Sequence, residues 1–362
     1  MVMLIGLAAP VPEKTSQWVV GAGHQGRAQD IQNFIGHALL SNSNEHDFIA
    51  RLNSPTSNMS PSQSIFESLS NLAAQALAER VISLTGSRSN LNDFSEPKGD
   101  RGLFGPDSIT WKIHADFTVM MVGGLASLMV QALHPRALAA VWDHSDFRNK
   151  LKERLGRTAF FVAATTYGST AMALRAIERV NGIHANIRGF DLDGHAYTAN
   201  EPALLRWVHI AEVCSFLGAY QHLSKQRLSA RECDQYIEEM NQIGHLLGAT
   251  DLPLTWQAAQ SELQAYEPEL RFDERARDIV RVVENYPTEL LDKPFMHLTL
   301  SAAFDVMPLW VLNLLEKPAA CPLQTQATKL ALTLASEPIQ WMLDKTGVRS
   351  VALARTHPLK KS

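Results

Sequence analysis

Three cysteines in 362 residues, Cys214, Cys233 and Cys321, are odd in number, widely spaced and free of any Cys-x-x-Cys. That excludes a disulfide framework, a zinc ribbon and a covalent c-type heme attachment, and a reducing compartment fits best. An excess of positive charge is also missing: 33 Lys and Arg stand against 37 Asp and Glu, a net charge of −4 with the signs interspersed. Phosphate backbones and anionic surfaces need a basic footprint, so nucleic acid is not an expected partner. No Walker A loop is present, and no Gly-x-Ser-x-Gly marks a serine nucleophile. His-Glu-x-x-His is absent, which removes the common zinc hydrolase. Glu-x-x-His is absent too, which removes the ligand pair of helical di-iron carboxylate sites.

What is there is apolar residue in quantity, 46% of the chain, enough for a sizeable core. The longest apolar run, Phe117 to Leu133, holds only Thr118, Ser127 and Gln131 as polar residues. At 17 residues it is at the lower edge of a membrane-spanning length, and Gly123-Gly124 and His134-Pro135 punctuate it, so it reads as a buried core helix. No membrane span is therefore expected. Met1 to Pro10 is apolar without a basic region, and a cytoplasmic location is the expectation.

Helical spacing of apolar residues recurs from Ser108 onward, predicting helices near 117–133, 136–142, 148–166, 169–188, 201–222, 229–247, 255–265, 272–285, 294–315 and 322–334. Strand signal is scarce. Its exception is Gly189 to Tyr197, where alternating residues flank Asp193-Gly194 and predict one small β-hairpin. The expected fold is all-α, a multi-helix bundle with that hairpin. Residues 1–105 read as a loosely ordered extension with helical stretches near Gln29–Leu40 and Ser64–Leu84, residues 106–315 as the domain carrying any chemistry, and 316–362 as a helical tail.

Inside that domain, polar residues interrupt apolar helix faces. The stripe Ala173, Ile177, Val180, His184, Ile187 puts an imidazole where an aliphatic residue belongs. Such a histidine is either hydrogen-bonded core or a ligand, and a rigid imidazole within apolar walls is what an axial heme ligand requires. On the preceding helix Arg154 lies four residues before Thr158, near the stripe Phe147, Leu151, Leu155. A buried guanidinium needs an anionic partner, which an internal carboxylate, a heme propionate or a bound oxygen would supply. His209 sits one turn from Glu212, a candidate to orient it. His114-x-Asp116 and His144-x-Asp146 each match half of a non-heme iron site, a pattern common by chance.

The order of the motifs carries more than any one of them. Asp107-Ser-Ile-Thr-Trp-Lys-Ile-His114, Gln131-Ala-Leu-His-Pro135, Asp143-His-Ser-Asp-Phe147, Arg154-Leu-Gly-Arg-Thr158, Ile183-His-Ala-Asn-Ile-Arg-Gly189, the hairpin to Tyr197 and Leu204-Leu-Arg-Trp-Val-His209 follow one another. This succession resembles the MpaB-like oxygenases, the superfamily that includes the rubber-cleaving latex-clearing proteins. The resemblance implies a helical fold with a globin-like core and a non-covalent heme b, using dioxygen against a small hydrophobic, isoprenoid-like or secondary-metabolite substrate. It also implies His184 as the iron ligand, Arg154 and Thr158 as the distal catalytic pair, and Arg157 and His209 as further residues around the heme. One departure is plain: latex-clearing proteins carry a lysine where this chain has Arg157, and a guanidinium is a poor iron ligand. A closed state with a distal amine on iron is not expected, nor is polyisoprene as substrate. The alternatives are a non-catalytic heme-binding protein, a heme-free helical interaction protein and a non-heme iron protein.

Overall fold

The computed structural model describes Val81 and residues 90–286, 288–290 and 292–357. Of the N-terminal extension, residues 90–105 and Val81 are described, and the helical stretches expected near Gln29–Leu40 and, except for Val81, Ser64–Leu84 fall outside those residues. So does Gly21-Ala-Gly-His-Gln-Gly26, which has the spacing of a dinucleotide-binding turn. Such a turn functions within a parallel βαβ unit, and the described residues contain only an antiparallel hairpin.

After a 3-10 turn at Leu91–Phe94 the helices are α1 (Ile109–His114), α2 (Phe117–Gln131), α3 (Pro135–His144), α4 (Phe147–Tyr167) and α5 (Thr170–His184). The strands β1 (Arg188–Phe190) and β2 (Ala196–Thr198) follow, then α6 (Pro202–Leu223), α7 (Ala230–Leu246), α8 (Trp256–Ala265) and α9 (Glu274–Glu284). The chain continues through α10 (Lys293–Asp305), α11 (Leu309–Leu314), α12 (Pro322–Thr346) and α13 (Val348–Thr356). The fold is all-α with one small β-hairpin, as the periodicity predicts.

Local chemistry sets the boundaries. The Asp116 carboxylate accepts from the N–H groups of Thr118 and Val119 and starts α2, and Ser169 caps α5. Ser229 and Glu232 form a reciprocal capping box at the start of α7. Pro135 and Pro202 occupy first turns, where no donor is lost. Two elements differ from expectation. The stretch 294–315 is two helices, because Pro308 disfavours helical geometry in Met307 and ends the run. The helix expected to end at 334 runs on through Pro338 to Thr346. α1 was not expected, six residues being too few for a periodicity to show, and α13 lies in the tail read as helical.

At the centre α2 packs along α6. Val119, Val122 and Met129 of α2 and Trp207, Ile210 and Val213 of α6 have no accessible surface. Gly123 permits the close approach, since a Cβ there would stand 2.6 Å from Phe216 Cδ1. Leu332 and Ile339 of α12 join the same core. Arg355 of α13 is fully buried and donates to the carbonyls of Phe94, Asp100 and Gly168 at 2.8, 2.9 and 3.1 Å, tying α13 to the α4–α5 turn. No single helix among the described residues is long and apolar enough to cross a membrane.

In the hairpin, Arg188 pairs with Thr198, Gly189 with Tyr197 and Phe190 with Ala196. The Asp191 N–H donates to His195 O, leaving a three-residue loop in which Gly194, at φ 81°, takes the left-handed position that this loop length demands.

Candidate active site

Because only Gly168 and Ser169 separate them, α4 and α5 fold back on each other as an antiparallel helical pair. Arg154 precedes Gly168 by 14 residues and His184 follows it by 16. At roughly 1.5 Å per residue they sit about 21 and about 24 Å from the turn, at the same open end of the pair. Arg157 and Thr158 lie within about one turn of Arg154.

His184 is 2% exposed, and its Nδ1 has no hydrogen-bond partner among the described residues. Burial lowers its pKa to about 3, so the ring is neutral, the form a metal ligand must have. Arg154 is likewise 2% exposed and donates to Ser145 Oγ at 3.2 Å. Burial, and then the charge of Arg157, bring its pKa down to about 9. It stays protonated at neutral pH. Two guanidiniums on adjacent turns near a buried neutral imidazole therefore make a positive end to the α4–α5 pair. Thr158, also buried, is held toward its own helix by a 3.3 Å bond to Arg154 O.

The other face of α4 walls a cavity of about 220 Å3 whose lining includes Met120, Met121, Leu155, Thr158, Phe216 and Met296. Thr158 is thus on the wall, while Arg154, Arg157, His184 and His209 are not. An apolar cavity of about 150 Å3 accommodates benzene, so this one has room for about ten non-hydrogen atoms. Of its polar wall residues, His114 is fully engaged, Nδ1 with Thr166 Oγ1 at 2.8 Å and Nε2 with Tyr236 Oη at 3.3 Å. Three methionines give the wall adjustable shape.

His209 bonds through Nε2 to Asn241 Oδ1 at 3.0 Å, so the carboxylate expected to orient it, Glu212, gives way to an amide. Asn241 in turn donates to Pro253 O, fixing α6 to the segment after α7. The two His-x-Asp patterns do not form sites: Asp116 caps α2, and His144 bonds to Arg188 O. Sequence reasoning missed the cavity. Its wall is shared between α4 and α2, and α2 is apolar on every side and so announces no particular face.

A family model described as the catalytic domain of the ER-bound oxygenase mpaB/B′ and rubber oxygenase matches residues 111–336. The chain belongs to this family. The match spans α1 to α12 and includes both the α4–α5 pair and the cavity, so the protein is an oxidoreductase of the oxygenase class. No curated protein and no solved structure matches the chain significantly.

The residues at the open end of α4 and α5 fit a heme in donor chemistry. A buried, neutral imidazole whose Nδ1 has no partner among the described residues is what iron needs, and the guanidiniums of Arg154 and Arg157 match the charge of propionates.

Proposed function

We propose that this oxygenase is heme-dependent and oxidises a small apolar substrate with dioxygen. The observation that carries the proposal is the buried His184 imidazole with its unpartnered Nδ1, on the helix facing Arg154, Arg157 and Thr158. Bound heme iron supplies the activation of dioxygen. The chain's own residues supply the rest. His184 offers a neutral nitrogen from the last turn of a rigid helix. Arg154 and Arg157 hold positive charge for carboxylates or a developing oxygen anion. Thr158 is the one of these residues that reaches the cavity wall, and with its O–H turned to Arg154 O its oxygen is left as an acceptor beside bound substrate. The cavity favours apolar substrates and selects by size, since its lining among the described residues presents no charged side chain.

A cytoplasmic setting and a substrate of isoprenoid or secondary-metabolite type belong to the same proposal. Dioxygen uptake by the heme-loaded protein tests it, with unsaturated hydrocarbons of five to about ten carbons as probes. Uptake that depends on the hydrocarbon, and that Ala159→Phe suppresses by filling the cavity, is the expected result. Uptake indifferent to both would overturn the assignment of the cavity as substrate site.

A further inference from the structure

A helix needs one apolar face to join a core, and α12 has two. On one side Leu332, Ile339 and Met342 are buried where the helix packs on α2 and α10. On the other, Leu323, Leu330, Leu334 and Trp341 are 81, 63, 58 and 46% exposed. Ala327 and Pro338, exposed as well, fall between them. The six positions advance by three or four residues, so they lie within about 80° of one another and form a stripe about 27 Å long.

Single exposed leucines are ordinary on a protein surface, whereas a continuous apolar stripe marks a contact. The four large side chains leave roughly 500 Å2 of apolar surface on one copy, so two copies meeting there would bury about 1,000 Å2, enough for a specific interface. Charge then decides the occupant. Along α12 Lys329 and Lys345 are balanced by Glu337 and Asp344. Lys329 donates to His222 O at 2.6 Å, and Lys345 Nζ lies over the Trp341 ring at 4.0 Å. A lipid surface selects a helix with a basic polar face, and here the far side is protein core. A strongly charged partner would likewise find no excess of the opposite sign. An uncharged stripe fits a surface like itself.

We propose that two copies of this chain associate through the α12 stripe about a two-fold axis, with the two helices antiparallel. Pairing centred on the stripe sets Leu323 against the partner's Trp341, Leu330 against the partner's Leu334 and Ala327 against the partner's Glu337, each contact occurring twice. Parallel pairing would instead oppose the two Glu337 carboxylates.

Sedimentation equilibrium of the full-length protein from about 1 to about 100 µM tests this, with a dimer of Kd about 10 µM or tighter expected. Leu330→Glu and Leu334→Glu alter exposed positions and should each raise Kd about tenfold or more, with helical circular dichroism unchanged. Leu323→Ser, which adds no charge, replaces either variant if it impairs folding. Leu254→Glu, 70% exposed and outside the stripe, should leave Kd as it is. Ala327→Glu should weaken association more than Ala327→Lys, which faces the partner's Glu337. A monomer at about 100 µM overturns the proposal, as does a dimer indifferent to Leu330→Glu and Leu334→Glu. Equal weakening by the two Ala327 variants overturns the antiparallel arrangement. A monomer that binds phosphatidylcholine vesicles, and loses them on Leu330→Glu, assigns the stripe to lipid and overturns the proposal too.

Discussion

His114 and His184 share one helical body, and burial lowers both imidazoles to about 3, yet their surroundings are opposite. His114 has a partner on each nitrogen, Thr166 and Tyr236, supplied from α4 and α7. His184 has none at Nδ1. A buried polar group is tolerated when it is satisfied and unfavourable when it is not. Equal burial and equal neutrality thus separate into two situations: His114 holds helices together, and His184 keeps an Nδ1 without a partner among the described residues, the feature on which its proposed role as a ligand rests.

The sharpest way to break this comparison is to replace each histidine by leucine in heme-free protein and measure unfolding in urea. His114→Leu leaves Thr166 Oγ1 and Tyr236 Oη unpaired and should lose about 2–5 kcal/mol. His184→Leu removes an unsatisfied nitrogen and should cost less than about 1 kcal/mol or stabilise the fold. Equal losses would mean that His184 has a structural partner after all.

Acid sharpens the comparison from the other side. Both histidines have folded pKa values below the ordinary 6.5, so the unfolded chain takes up protons first as pH falls. Their contribution is fully present above about 6.5 and is lost toward the folded values near 3. At pH 5 each should cost up to about 2 kcal/mol relative to pH 7. The pH dependence should shrink in either leucine variant, and bound heme should leave the His114 share unchanged. Thr166→Val, which removes one partner of His114, should destabilise by about 1–3 kcal/mol without altering any spectrum of bound heme. The smallest effect is expected at Ser169, whose hydroxyl caps the helix carrying His184: Ser169→Ala should cost about 1 kcal/mol, read as a lower Tm.

Much of this was visible in the sequence, unevenly. His184 stood out because Ile177 and Val180 define a buried stripe that it interrupts. Arg154 stood out for the same reason. The hairpin was legible from Asp193-Gly194, although the loop is one residue longer than a two-residue turn. Other features depend on tertiary pairing. Asn241 is 32 residues from His209, and Tyr236 is 122 from His114, so no local pattern could name them. The cavity was hidden because it forms only where α2 and α4 meet, and the uniform apolarity of α2 marks no face for it.

Titration of the full-length protein with heme, followed by visible absorption, tests the central claim most directly. The wild type and His114→Gln should each bind one equivalent and develop the intense band near ~400 nm of a b-type heme. In His184→Ala that band should be lost or shifted. A spectrum unchanged by His184→Ala, or a well-folded wild type that binds no heme, would contradict the account.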